Sequence, residues 1–187
     1  MYRKTMISLA SAAAIAISLS AIPALAQHDP AVGGAAMSPM KNIVENASSS
    51  PDLTTLVTTV KAADLVSTLE GPGPFTVFAP VNAAFEKLPA GTVETLLKPE
   101  NKAQLAKVLT YHVVAGKVSS RQLVAMIKKG GGKADLKTVE GGTITATLNG
   151  GKVMLTDEKG GTATVTIADV FQSNGVVHVI DAVLLPN

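Results

Sequence analysis

The spacing of apolar residues changes along the chain, and this change most constrains the fold. In the first half, residues such as Leu53, Leu56 and Val60 recur at helical spacing, which places them on one helix face. In the second half, short β-branched and apolar runs are separated by glycine turns, and Asn149-Gly150-Gly151 is a strong hairpin signal. Helices that lead into consecutive strands predict the α+β class, with the strands folded into a small sandwich or wedge.

Residues 1–26 have the features of a secretory signal peptide. Arg3 and Lys4 form a basic start, an uncharged apolar run follows over residues 7–22, and Ala24-Leu25-Ala26 fits a signal-peptidase site. The run is short for a membrane span, which needs about 20 apolar residues. We therefore predict cleavage after Ala26, no membrane span, and a periplasmic or extracellular, cell-surface location.

The chain after the signal is predicted to hold one linker and one domain. Residues 27–40 include Pro30, Gly33, Gly34 and Pro39 and offer little that would form a core, which predicts a flexible linker. Residues 41–187 have the length and the pattern of a single domain.

The charge of the exported protein is balanced. The chain has 16 Lys and Arg against 14 Asp and Glu, and the signal removes Arg3 and Lys4 but no acid, leaving 14 of each. Such a protein has no field to steer it onto nucleic acid or anionic lipid. The absence of Cys excludes thiol catalysis and cysteine metal sites.

Three short segments stand out along the chain, from Phe75 to Phe85 (FTVFAPVNAAF), from Tyr111 to Val114 (YHVV), and from Asn174 to Pro186 (NGVVHVIDAVLLP). In this order they resemble the motifs of the fasciclin domain, an extracellular adhesion and interaction module. The resemblance covers about residues 41–186. One departure from the family pattern is Val81, where the family commonly has Thr or Ser.

Most of the motif residues are predicted to be structural. Asn82 is expected to be the N-cap of a short helix, Gly175 to allow a positive φ before the last strand, and His178 to lie on the core face by period two. The full set of structural motif residues is Phe75, Thr76, Phe78, Ala79, Pro80, Asn82, Phe85, Asn174, Gly175 and His178.

The resemblance implies a seven-stranded β-wedge or sandwich covered by several short helices, and a domain that mediates attachment and is usually not an enzyme. In animal matrix members, an Asp-Ile pair and the Tyr-His segment are implicated in integrin binding. These positions correspond to Asp169-Val170 and Tyr111-His112 here. Because bacteria have no integrins, only the location of the surface carries over, and these four residues are the candidate interaction residues.

Each candidate also has a structural interpretation. In that interpretation, the Tyr111 ring packs into the core and His112 forms a hydrogen bond with a nearby loop. Asp169 would accept hydrogen bonds from the turn at residues 172–175. Both interpretations of Asp169 stay open from the sequence alone.

Other chemistry has little support. A zinc site from His112, His178 and Asp181 is conceivable, but no close ligand spacing favours it. The basic glycine loop at residues 128–133 lacks the spacing of a phosphate-binding loop, although it would suit contact with acidic polysaccharide. The chain has no Gly-x-Ser-x-Gly elbow. We therefore predict no enzyme activity, no metal and no cofactor.

The predicted function is attachment of bacterial cells to each other or to a surface. The expected partner is a cell-surface or matrix protein or a polysaccharide, and a lone domain would need a weak homo-oligomer or many copies to attach firmly. The alternative is a periplasmic or secreted domain that binds a small molecule or glycan in a pocket between the helices and the wedge.

Overall fold

The computed structural model describes residues 30–187, so the predicted signal peptide and residues 27–29 of the predicted linker lie outside the described residues. The helices of this part are α1 (Ile43–Ser49), α2 (Thr54–Ala62), α3 (Val66–Glu70), α4 (Asn82–Glu86), α5 (Thr92–Leu96), α6 (Lys102–Tyr111) and α7 (Ser120–Lys129). The strands are β1 (Ala31–Val32), β2 (Ala35–Ala36), β3 (Phe75–Pro80), β4 (Val113–Ala115), β5 (Lys133–Lys137), β6 (Thr143–Asn149), β7 (Lys152–Thr156), β8 (Thr162–Gln172) and β9 (Gly175–Ile180).

Seven strands form one sheet in the order β4-β3-β9-β8-β7-β6-β5. Strands β3 and β9 are parallel and the other neighbours are antiparallel. The two edges meet, because Val114 bridges Thr138 and the Val139 N–H donates to the Val113 carbonyl at 2.7 Å. The sheet is therefore almost a barrel, and the predicted α+β class with seven strands and short helices is confirmed.

Two apolar clusters lie on opposite faces of the central strands. Successive residues of a strand point to opposite faces, so Val77 and Val179 face the helices α1, α2 and α6. Their neighbours Phe78 and Ile180 face the other cluster, which α7 covers with Leu123. Every residue of β9 is buried, as expected for a strand covered on both faces.

The predicted flexible linker differs from the structure over residues 30–37. Strands β1 and β2 pair as a hairpin, and their end is closed by a bond of 3.0 Å from the Met37 N–H to the Pro30 carbonyl. Val32 and Met37 are only 1% and 2% exposed. Two apolar side chains separated by a glycine turn are enough to join this hairpin to the core, although its composition resembles a linker.

Two helices begin at capping boxes, which satisfy backbone N–H groups that have no partner within a helix. Asn42 accepts from the Glu45 N–H at 2.9 Å, and the Glu45 carboxylate accepts from the Asn42 N–H at 2.8 Å. Ser119 and Gln122 make the same exchange at the start of α7.

The sequence predicted Asn82 as the N-cap of α4, and this prediction is wrong. Val81 has the N-cap position, with no side-chain cap, and Asn82 is the first residue of the helix. The Asn82 side chain instead accepts from the Thr55 N–H at 3.0 Å and donates to the Pro51 carbonyl at 2.8 Å. Its amide therefore connects α4 to the start of α2, where backbone groups would otherwise have no partner.

Two predicted strand ends also differ from the structure. Tyr111 is the last residue of α6 and not the first of a strand. The closing strand ends at Ile180, whereas the sequence predicted that it continues to Leu184. After residue 180 the chain leaves the ladder, and the N–H groups of Leu184 and Leu185 donate to the side chains of His112 and Asp157.

Candidate interaction surface

Tyr111 lies inside the molecule at the end of α6 and is 0% exposed. Its hydroxyl donates to the Thr143 carbonyl at 2.7 Å and accepts from the Glu158 N–H at 3.2 Å. Burial raises the pKa of Tyr111 to about 12, so the hydroxyl stays protonated and able to donate. The residue joins α6 to β6 and to the turn between β7 and β8.

His112 is 3% exposed and uses both ring nitrogens. Nδ1 lies 2.8 Å from the Val108 carbonyl, and Nε2 accepts from the Leu184 N–H at 3.0 Å. A carbonyl only accepts and a backbone N–H only donates, so the ring is neutral with its hydrogen on Nδ1. Burial lowers the pKa of His112 to about 4 and keeps it in this form.

His178 has the opposite arrangement and is 0% exposed. Nε2 lies 2.8 Å from the Val118 carbonyl and Nδ1 accepts from the Asp169 N–H at 3.3 Å, so the hydrogen belongs on Nε2. Burial lowers the pKa of His178 as well. Its ring stacks on Phe78, with centroids 5.7 Å apart.

Three of the four candidate interaction residues are thus inside the protein. Tyr111, His112 and Val170 are at most 3% exposed, and the two ring residues have structural hydrogen-bond partners. This placement agrees with the structural interpretation of the Tyr-His segment. Within residues 30–187, no group of three or more His, Asp or Glu side chains is arranged to hold a metal ion.

Asp169 lies within β8, at an irregularity of the strand. The register between β8 and β9 shifts between Ile167 and Val170, and Asp169 has a φ of 59°. Its carboxylate accepts from the Ser120 N–H at 2.6 Å and from the Ser120 hydroxyl. The predicted bonds to the turn at residues 172–175 are absent here, and Asp169 instead anchors the first residue of α7.

Asn174 holds the turn between β8 and β9 against the helices. Its side chain accepts from the Ile43 N–H at 3.1 Å and donates to the carbonyls of Leu69 and Gly71 at 2.7 and 3.1 Å. The structural role predicted for Asn174 therefore has three specific contacts, which link α1 and α3 to the sheet.

Gly175 does not have the positive φ that the sequence predicted. A Cβ at this position would lie 2.2 Å from the Phe75 carbonyl oxygen. Glycine is needed because β3 approaches the backbone closely, which is a packing requirement and not a turn requirement.

The remaining structural motif residues belong to the first motif and contact residues outside it. The Thr76 hydroxyl donates to the Gly116 carbonyl at 2.6 Å and accepts from the Val118 N–H at 2.8 Å. Ala79 and Pro80 are buried, and Phe85 is partly buried against the helix-side cluster.

The sequence interpretation missed an exposed aromatic residue two positions after Asp169. Phe171 is 40% exposed, although its neighbours Val170 and Gln172 are only 1% and 4% exposed. The Lys117 ammonium lies 4.9 Å from the centroid of the Phe171 ring. Alternation from the buried Val165 would place Phe171 inward, and the irregularity of β8 between Ile167 and Val170 reverses the alternation, so no signal in the sequence indicated this outward position.

Two further cations belong to segments that are bonded to β8 or to the turn after it. The Lys41 carbonyl accepts from the Ser173 N–H at 2.9 Å, and Arg121 follows Ser120, which Asp169 binds. We call Lys41, Lys117, Arg121 and Phe171 the Phe171 patch. The side chains of all four residues are exposed.

The space between the helices and the sheet is small. One cavity there has a volume of about 30 Å³ and is lined by apolar side chains and His112. A larger cleft of about 340 Å³ lies among the helices, where Phe85 and Val93 form apolar walls and Glu86 and Glu94 add carboxylates.

No helix of residues 30–187 has the length and apolarity required to cross a membrane.

The fold is shared with a solved structure of an adhesion protein. A FAS1 domain pair from the insect cell adhesion molecule Fasciclin I matches with a TM-score of 0.70 at 21% identity, over 79% of this chain and 51% of that chain. This chain therefore spans about half of that pair. The nearly closed seven-stranded sheet with its helical cover defines an α+β domain of the FAS1 type.

Comparison of the sequence with known proteins identifies the family of this chain, which the structural match at 21% identity does not. The fasciclin domain model matches residues 51–186, and the chain belongs to the fasciclin domain family. Protein sll1483 of Synechocystis is 49% identical over 83% of this chain and 79% of its own length. The cell surface glycolipoprotein MPB83 of Mycobacterium bovis is 32% identical over 97% of this chain and 77% of its own length. The immunogenic protein MPB70 of the same species is 37% identical over 75% of this chain and 66% of its own length.

Proposed function

We propose that this protein is an exported fasciclin module that attaches bacterial cells to each other or to a surface, without catalysis, through the Phe171 patch. The family, the cell-surface name of the relative MPB83 and the cell-adhesion name of Fasciclin I support this proposal. The protein acts in the periplasm or at the cell surface after removal of residues 1–26.

The observation that carries the proposal is the exposure of Phe171. A large aromatic side chain that stays 40% exposed beside buried neighbours is typical of contact surfaces, where aromatic anchors supply much of the binding energy. The surrounding backbone is held in place, because Asp169 fixes both the strand irregularity and the start of α7. A rigid surface loses less conformational entropy when it binds.

The test is attachment of a strain that lacks the gene, complemented with wild-type protein or with Phe171→Thr. Thr keeps the strand propensity but removes the ring. Val139→Thr is the matched control, because Val139 is 46% exposed at a different place, next to the sheet edge of β4. Thermal unfolding of the purified proteins verifies that each variant is folded.

Attachment should be lost in the deletion strain, restored by wild type and by Val139→Thr, and not restored by Phe171→Thr. Unchanged attachment in the deletion strain would show that adhesion is not the function. Full restoration by Phe171→Thr would show that another surface makes the contact.

The cleft of about 340 Å³ favours a second function, binding of a small molecule or glycan. Apolar walls beside polar groups such as Glu86 and Glu94 are typical of ligand sites. A compound that binds there should raise the unfolding temperature of the wild type but not that of Val93→Trp, in which the larger side chain fills the cleft. A compound that stabilises both proteins equally would bind elsewhere.

A further inference from the structure

We propose that the Phe171 patch binds an acidic polysaccharide by pairing its cations with uronic acid carboxylates while sugar rings contact Phe171. This inference rests on the proposed function, because it names the chemical class of the attachment ligand.

The patch has three cations that form no ion pair. Lys41, Lys117 and Arg121 have no salt-bridge partner within residues 30–187. Asp169 and Glu45 lie in the same segments and keep their negative charges, because their hydrogen bonds come from the neutral Ser120 and Asn42 groups. Three cations against these two carboxylates leave an excess of one positive charge, which favours an anionic ligand although the exported protein is balanced.

The ring determines which anionic ligand fits. The Lys117 ammonium is 4.9 Å from the Phe171 centroid, so a carboxylate that pairs with Lys117 brings the group attached to it against the aromatic side chain. In a uronic acid this group is a sugar ring with C–H bonds on its faces. The negative face of an aromatic ring attracts such positively polarised hydrogens.

The shape of the patch fits a polymer better than a small molecule. Phe171 lies on the outer side of a strand, and each contact at an exposed cation contributes little by itself. A chain of repeated sugar carboxylates engages several copies of the protein at once, which converts weak contacts into firm attachment.

A competing basic segment exists in the same protein. Lys128, Lys129 and Lys133 surround the glycine turn after α7 and are all exposed. These lysines lack an aromatic partner, because the described cation–ring contact involves Lys117 and Phe171. Lys129→Gln therefore provides a charge-matched control for Lys117→Gln.

The experiment measures binding of the exported protein to immobilised polygalacturonate, with dextran as the neutral polymer, by biolayer interferometry. Wild type should bind polygalacturonate and not dextran, and binding should weaken as salt rises because exposed charge pairs are screened. Phe171→Thr and Lys117→Gln should each weaken binding about fivefold, the size of one exposed cation–ring contact. Phe171→Tyr keeps the ring and should bind like wild type, as should Lys129→Gln.

Three results would overturn the proposal. These are no binding to polygalacturonate, equal binding to dextran, and loss of binding in Lys129→Gln with none in Lys117→Gln. If polygalacturonate does not bind but Phe171→Thr still fails to restore cell attachment, the ligand class is wrong and the adhesion function stands. If cell attachment does not depend on the gene, the adhesion function itself is wrong.

Discussion

His112 Nε2 accepts a hydrogen bond of 3.0 Å from the backbone N–H of Leu184, which ties the end of α6 to the C-terminal segment of the chain. The next backbone N–H, that of Leu185, donates to the buried carboxylate of Asp157 at 2.9 Å. The two side chains therefore accept hydrogen bonds that a neighbouring strand would accept if this segment were still in the sheet. Leu184 is 0% exposed as a result.

The first prediction concerns the dependence of stability on pH. Because the folded-state pKa of His112 is about 4, below the ordinary 6.5, the unfolded chain binds more protons between these values. The contribution is complete above pH 6.5 and is lost as the pH falls toward 4, by about 3 kcal/mol at most. His178 shifts in the same direction. Urea denaturation at pH 7.5, 6, 5 and 4.5 measures this loss.

The control for that prediction is His112→Asn, which does not titrate in this range. The variant should be less stable than wild type at pH 7.5 and should lose less stability on acidification. The acidic group that acts on His112 is Asp157, and the one that acts on His178 is Asp169. A wild-type stability that stays constant from pH 7.5 to 4.5 would contradict the buried neutral histidines.

The second prediction concerns the tautomers of the two histidines. His112 should carry its hydrogen on Nδ1 and His178 on Nε2, because their carbonyl partners lie at these atoms. Long-range proton–nitrogen NMR spectra at pH 7 distinguish the two forms directly. Finding the same tautomer at both positions would show that one of these hydrogen bonds is assigned wrongly.

The third prediction concerns Gly175. Gly175→Ala should destabilise the protein by about 3 kcal/mol, because the new Cβ would meet the Phe75 carbonyl oxygen of the adjacent strand. Gly131→Ala is the comparison, since its Cβ would have no atom within 4 Å and only the positive φ of 70° is strained. That variant should lose about 1 kcal/mol. Equal losses, measured by urea denaturation, would contradict a packing role for Gly175.

The fourth prediction concerns Asp169. Asp169→Ala should lower the free energy of unfolding by about 2 kcal/mol, because the Ser120 N–H and hydroxyl lose a charged acceptor. Asp169→Asn should lose less, since Asn retains one acceptor oxygen and tolerates a positive φ. Amide hydrogen exchange should increase at the start of α7 in the Ala variant. Unchanged exchange there would show that Asp169 does not anchor the helix.

The local patterns were reliable where short-range physics decides the structure. The hairpin at Asn149-Gly150-Gly151 occurs as the sequence predicted, because a tight turn involves residues close in the chain. The prediction for Asn82 was wrong because the partners of its side chain are distant in the sequence. Asn82 binds Pro51 and Thr55 across some 30 residues, and nothing near Asn82 in the sequence indicates that contact.

The sequence by itself determined the class of this protein: three ordered motifs and a helix-to-strand pattern specify a fasciclin domain of the α+β type. Only the tertiary structure decided which motif residues face solvent. Tyr111 and His112 are polar enough for a surface, but the fold surrounds them with backbone partners, and burial with satisfied hydrogen bonds is stable. Phe171 is apolar enough for a core, and alternation from Val165 would place it inward, but the irregularity of β8 between Ile167 and Val170 directs it outward.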